Sequence, residues 1–137
     1  MRAFFDTSAL VKKYILEDGW EKFDGLLNKV TAIVVAPVYF LEMNGMVQRK
    51  LTERSITARQ ANLIKQNVEN DLEEFEKIAW DASLEQTALT IIEKYPIKTL
   101  DSIQLASAFL SKAKTFITSD RKLFHIAKKE LKGAVLI

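Results

Sequence analysis

Four acidic residues stand where chemistry is most easily built: Asp6, Glu42, Asp101 and Asp120. The rest of the reactive inventory is thin. There is one His, His125, and no Cys, which excludes thiolate zinc sites, disulfide scaffolds and any site that needs two imidazoles from one chain. No G-x-G-x-x-G, P-loop or G-x-S-x-G pattern occurs. The chemistry that remains is carboxylate chemistry. Several carboxylates brought to one place repel each other, and some take up protons unless cations neutralise them. Mg²⁺ or Mn²⁺ does so with oxygen ligands alone and accepts substrate phosphates as further ligands. Such an ion can activate a water and stabilise charge during phosphodiester displacement.

Each acid also has a purely structural alternative. Asp6 and Asp120 could cap the helices that follow them. Asp101, in a first helical turn, would favour the helix dipole. Glu42 is harder to place, because it sits among Val38, Tyr39, Phe40, Leu41, Met43, Met46 and Val47. A carboxylate buried there needs a partner, either a Lys or Arg or a metal.

The elements that must position these acids follow from hydrophobic pattern. Ala3–Phe5, Ala32–Ala36, Thr115–Thr118 and Ala134–Ile137 read as short buried strands, and Ile78–Trp80 as a further candidate. Helical periodicity predicts helices over Thr7 to about Leu16, Trp20–Val30, Pro37 to about Leu51, and a long one opening at a Thr57 cap. The long one carries a stripe of Ala61, Ile64, Val68, Leu72 and Phe75. Further helices run from an Asp81 or Ser83 cap to Tyr95, from a Thr99 cap to about Ser111, and from Asp120 or Ser119 to Leu131. Strands alternating with helices mean an α/β fold with a mainly parallel sheet. Ligands of such sheets bind outside the carboxyl ends of the strands, where Asp6 and Asp120 fall.

The segment Phe5-Asp6-Thr7-Ser8-Ala9-Leu10-Val11-Lys12 resembles the opening of PIN-domain nucleases, in particular VapC-type toxin endoribonucleases. Tyr39 and Glu42 resemble the family's second acidic motif. Asp101-Ser102-Ile103-Gln104-Leu105-Ala106-Ser107-Ala108 is similar to its D-x-x-x-L-A-x-A pattern, and Thr118-Ser119-Asp120-Arg121-Lys122-Leu123 to its T-x-D-x-x-L pattern. The resemblance covers essentially the whole chain. It implies a single three-layer α/β/α domain over residues 1–137 with four or five strands. It implies an Mg²⁺- or Mn²⁺-dependent ribonuclease, frequent homodimers and a cognate antitoxin. By the same resemblance Asp6, Asp101 and Asp120 are metal-binding, and Glu42 is the fourth acid. Thr7 and Ser8 would orient the first aspartate, and Thr118 would line the same pocket.

The 137 residues suit one domain. The net charge of +2 conceals two poles: Glu69–Glu85 carries −6, and Lys112 to the end carries +5. The basic end, with Lys12, Lys13, Arg121 and Lys122, is a candidate hold for RNA phosphates; an ordinary solvated surface is the alternative. Trp20 and Trp80 are expected in the core or a dimer interface, and His125 on a helix surface. No apolar run approaches the roughly 20 residues of a membrane span, so a cytoplasmic protein with no membrane association is expected. Two rival functions stay open. One is a catalytically silent PIN-like RNA-binding or protein-interaction module. The other is a receiver domain or haloacid-dehalogenase-type phosphatase, which wants an acidic pair or D-x-D after the first strand where this chain has Asp6-Thr7-Ser8.

Overall fold

The structure is a computed structural model describing residues 1–137. In chain order the elements are β1 (Arg2–Phe5), α1 (Thr7–Leu10) with a 3₁₀ turn (Val11–Lys13), α2 (Trp20–Leu27), β2 (Ala32–Val35), α3 (Tyr39–Thr52), α4 (Ala58–Leu72), β3 (Glu76–Lys77), α5 (Ala82–Lys94), α6 (Thr99–Ser111), β4 (Thr115–Thr118), α7 (Arg121–Glu130) and β5 (Ala134–Leu136). The five strands form one sheet in the order β3-β2-β1-β4-β5, and every pair is parallel.

Side chains alternate across a strand, and each central strand divides its residues between two cores. Phe4, Val34 and Phe116 face one core with Leu84, Ile91, Leu105, Leu123 and Ile126 of α5, α6 and α7. Ala3, Phe5, Val35 and Ile117 face the other with Leu10, Phe23, Met43, Val47, Ile64 and Val68 of α1 to α4. Phe4 and Phe116, on adjacent strands, stack at 5.7 Å. The result is the expected three-layer α/β/α arrangement with an entirely parallel five-stranded sheet. No helix is long and apolar enough to cross a membrane.

Several local expectations shift. The first helix is α-helical only to Leu10 and then tightens into the 3₁₀ turn. Residues Ile78–Trp80 do not form a strand; the edge strand is Glu76–Lys77, paired with Val34 and Val35. Lys98 rather than Thr99 is the N-cap of α6, without a side-chain cap bond. Thr57 does cap α4 in a reciprocal capping box with Gln60, and Asp81 caps α5 through the Leu84 amide. Trp20 and Trp80 are both exposed, and the Trp80 indole donates to Glu85.

The strand order places a switch between β1 and β4. From β1 the chain continues outward to β2 and β3 on one side; on the other side lie β4 and β5. Asp6 follows β1 and Asp120 follows β4, so both stand at the crevice where open α/β sheets bind ligands.

Candidate active site

A cleft of about 300 Å³ opens at this crevice, lined by Asp6, Thr7, Ser8, Glu42, Gly45, Met46, Arg49, Leu100, Asp101 and Asp120. All four sequence-singled acids therefore meet at one place, from β1, α3, α6 and the β4–α7 turn.

Asp6 is almost fully buried. It sits at the N-cap of α1, but its side chain makes no cap bond, so the capping alternative fails for it. Instead Ser8 Oγ and Thr118 Oγ1 both donate to its Oδ2, at 2.6 and 2.8 Å. The same two hydroxyls accept from the amides of Ser119 and Asp120, each at 3.0 Å. Asp6 is thus tied through two hydroxyls to the turn that carries Asp120. Burial pushes its carboxyl up to about 6, opposed by the Ser8 and Thr118 bonds and reinforced by the charges of Glu42 and Asp101.

Glu42 has no Lys or Arg partner; its bonds come from neutral side chains. Gln104 Nε2 donates to its Oε1 at 2.6 Å, and Thr7 Oγ1 donates to the same oxygen at 3.3 Å. Gln104 Nε2 also donates to Thr7 Oγ1 at 3.1 Å. Burial raises the Glu42 carboxyl, the two donors lower it, and Asp101 raises it again. Thr7 accordingly serves Glu42, whereas the resemblance assigns it to Asp6; Ser8 alone of that pair serves the aspartate.

Asp101 lies in the first turn of α6. Burial raises its carboxyl, and the charge of Asp120 adds to this, while Lys98 and Lys122 pull it down. Asp120 Oδ1 accepts from the Leu123 amide at 3.0 Å, so this residue does cap α7 while lining the cleft.

None of the four acids forms an ion pair; the five ion pairs of the chain lie elsewhere. No three acidic or imidazole side chains are closed into a metal cage as they stand. The donor set nonetheless fits a hard divalent cation. It consists of mutually repelling carboxylates, none ion-paired although Arg49 lines the same cleft, and Mg²⁺ keeps most of its waters while using only one or two protein carboxylates.

The basic candidates separate. Lys12 is buried, donating to Glu17 at 3.1 Å and Ser119 at 2.8 Å. Lys13 pairs with Asp71 at 2.6 Å. Both ammonium groups are committed within the chain. Arg121 and Lys122 are exposed and unpaired. Arg49 and Gln104 were missed as site residues by the pattern reading. The available signal was spacing: Arg49 lies two helical turns beyond Glu42 on α3, and Gln104 one turn beyond Asp101 on α6.

The family model for the PIN domain matches residues 3–129. The chain belongs to the PIN domain family. PIN domains are generally nucleases, typically dependent on divalent metals. No curated protein matches the chain in sequence. Solved structures with a similar fold include a chain of a toxin–antitoxin complex from Klebsiella pneumoniae, with TM-score 0.67, 20% identity and 89% of each chain covered. FitAcB from Neisseria gonorrhoeae gives TM-score 0.73 at 14% identity, covering 97% of this PIN chain and 96% of the other. VapBC2 from Rickettsia felis, bound to a promoter DNA fragment, gives TM-score 0.66 at 18% identity, covering 98% and 99%.

Proposed function

We propose that this PIN domain is a divalent-metal-dependent endoribonuclease, the VapC-type toxin of a toxin–antitoxin pair. The observation that carries the reading is the cleft itself: four carboxylates from four elements, none paired with a Lys or Arg. A purely structural cluster would neutralise its charges internally. Asp6, Glu42, Asp101 and Asp120 would hold Mg²⁺ or Mn²⁺. When bound, the ion supplies Lewis acidity toward a phosphoryl oxygen and lowers the pKa of a water.

The chain's own groups do the rest. Ser8 and Thr118 both donate to Oδ2 of Asp6, which leaves Oδ1 without a hydrogen bond inside the chain. Arg49, Arg121 and Lys122 are unpaired cations beside the cleft or on the adjoining helix, suited to RNA phosphates on either side of the scissile bond. By resemblance, water attacks phosphorus and the 3′ oxygen leaves, giving a 5′-phosphate and a 3′-hydroxyl.

The toxin role is supported by the toxin–antitoxin complex from Klebsiella pneumoniae among proteins of similar fold, and it implies an antitoxin partner, a cytoplasmic setting and a homodimer. The test is cleavage of a mixed RNA pool by purified protein with Mn²⁺, with EDTA, and with Asp6→Asn. Cleavage that needs Mn²⁺ and vanishes in Asp6→Asn is expected. RNA binding without cleavage by the wild type points to a silent binding module and defeats the enzyme reading.

A further inference from the structure

Gln104 is 1% exposed, on a helix whose neighbouring residues are apolar or small. Burying a primary amide is unfavourable unless its groups are bonded. Its nitrogen meets that condition, donating to Glu42 Oε1 at 2.6 Å and Thr7 Oγ1 at 3.1 Å. Its oxygen does not: Oε1 has no partner. The opposite amide orientation would bring that oxygen against the Glu42 carboxylate, two acceptors facing each other. The amide is therefore held by its donor side at the cost of an unbonded acceptor.

The choice of residue type matters. A Lys or Arg at this place would hold Glu42 more strongly, but it would cancel the charge that a cation needs. A neutral donor fixes the carboxylate and leaves its charge in place. Both bonds fall on Oε1, so Oε2 has no partner within the chain.

We propose that Gln104 is a positioning residue for the divalent cation: with Thr7 it fixes the Glu42 carboxylate so that Oε2 remains available in the cleft. This rests on the metal-nuclease reading above. Gln104 also links two ligand-bearing elements, since Asp101 lies one turn before it on α6 and Thr7 directly follows Asp6. Outer-layer donors of this kind typically change metal affinity or activity by about 10- to 100-fold when removed.

The test is Mn²⁺ titration of the intact protein by calorimetry, for wild type, Gln104→Leu, Gln104→Met and Thr7→Val. The metal-free glutamine variants should melt no lower than wild type by more than a few degrees, because they also remove the unbonded acceptor. Their Mn²⁺ affinity should fall by about 10- to 100-fold, with Thr7→Val in the same direction and smaller. Should Gln104→Leu fail to fold, the unbranched Gln104→Met carries the test. Wild-type Mn²⁺ binding with unchanged affinity in a folded Gln104 variant overturns the positioning role alone. A wild type that neither binds Mn²⁺ nor cleaves RNA overturns the metal-nuclease reading, and the role of Gln104 with it.

Discussion

Asp6 and Glu42 enter the cleft held by neutral donors, two on one oxygen of each carboxylate. Asp101 and Asp120 enter it from helix starts, and the contrast is in what restrains them. Asp101 is raised first by burial and then shaped by charge, with Asp120 raising it and Lys98 and Lys122 lowering it. Asp120 is restrained by the backbone of its own helix. Of the first pair Asp6 is buried and Glu42 half-buried, and neither has a cationic partner; the second pair is half-buried, with exposed lysines within electrostatic reach. Hydroxyls and an amide can orient an anion in a dry place without cancelling it, which ion pairs cannot do.

The largest expected effect is at Asp6, the buried acid of the four. Asp6→Asn should reduce metal-dependent RNA cleavage by more than the roughly 100-fold upper range for loss of an outer-layer donor, measured on a defined oligoribonucleotide. The same change should stabilise the metal-free protein near pH 7, since it removes a buried charge raised from 3.8 to about 6, on the order of 3 kcal/mol at most. Urea unfolding of both proteins in EDTA would show it, and a destabilised Asp6→Asn would erase the contrast.

That raised carboxyl also sets a pH dependence. The folded chain holds the Asp6 proton more tightly than the unfolded chain. This group's contribution to stability is therefore fully present below pH 3.8 and is lost as pH rises through about 6. In EDTA, the stability difference between wild type and Asp6→Asn should grow across that window and level off above it. A difference that stays flat would mean that Asp6 is better solvated than its burial implies.

Asp101 and Asp120 should split on stability rather than activity. Asp120→Ala loses the Leu123 cap and should cost about 1 kcal/mol, while Asp120→Asn keeps a capping oxygen and should cost little. Both should lose cleavage. Asp101→Asn should lose cleavage with stability almost unchanged, because no cap depends on it. Denaturation midpoints compared with cleavage rates decide this.

The smallest effects belong to the lysines. Lys122→Ala should weaken RNA binding modestly and lower the slope of log affinity against log salt by about 1. Lys13→Ala should leave that slope unchanged, because its ammonium is already paired with Asp71. Fluorescence binding of RNA to the Asp6→Asn protein across a salt series separates the two.

Much of this was legible along the chain where the physics is local. The Thr57–Gln60 capping box and the Asp81 cap follow from residues three apart, and the apolar runs of β1, β2 and β4 follow from burial on both faces. The edge strand was not legible. Glu76–Lys77 is charged and exposed, and it is a strand only because Val34 and Val35 lie beside it. Hydropathy favoured Ile78–Trp80, but there the chain makes one further bond, Ile78 N to Val35 O, and turns toward α5. Likewise Lys12 and Lys13 look alike in sequence, and their different fates depend on Glu17, Ser119 and Asp71.

By itself the sequence determined the α/β alternation, the four acids, the absence of imidazole and thiolate alternatives, and the order of motifs. These depend on residue type and short spacing, which a linear reading can see. Tertiary structure alone decided which donor serves which acid. Ser8 and Thr118 meet at Asp6 from 110 positions apart, and Thr7 and Gln104 meet beside Glu42 from 97. Hydrogen bonds act over about 3 Å, so their partners are set by how β1, β4, α3 and α6 pack, and no local pattern carries that information.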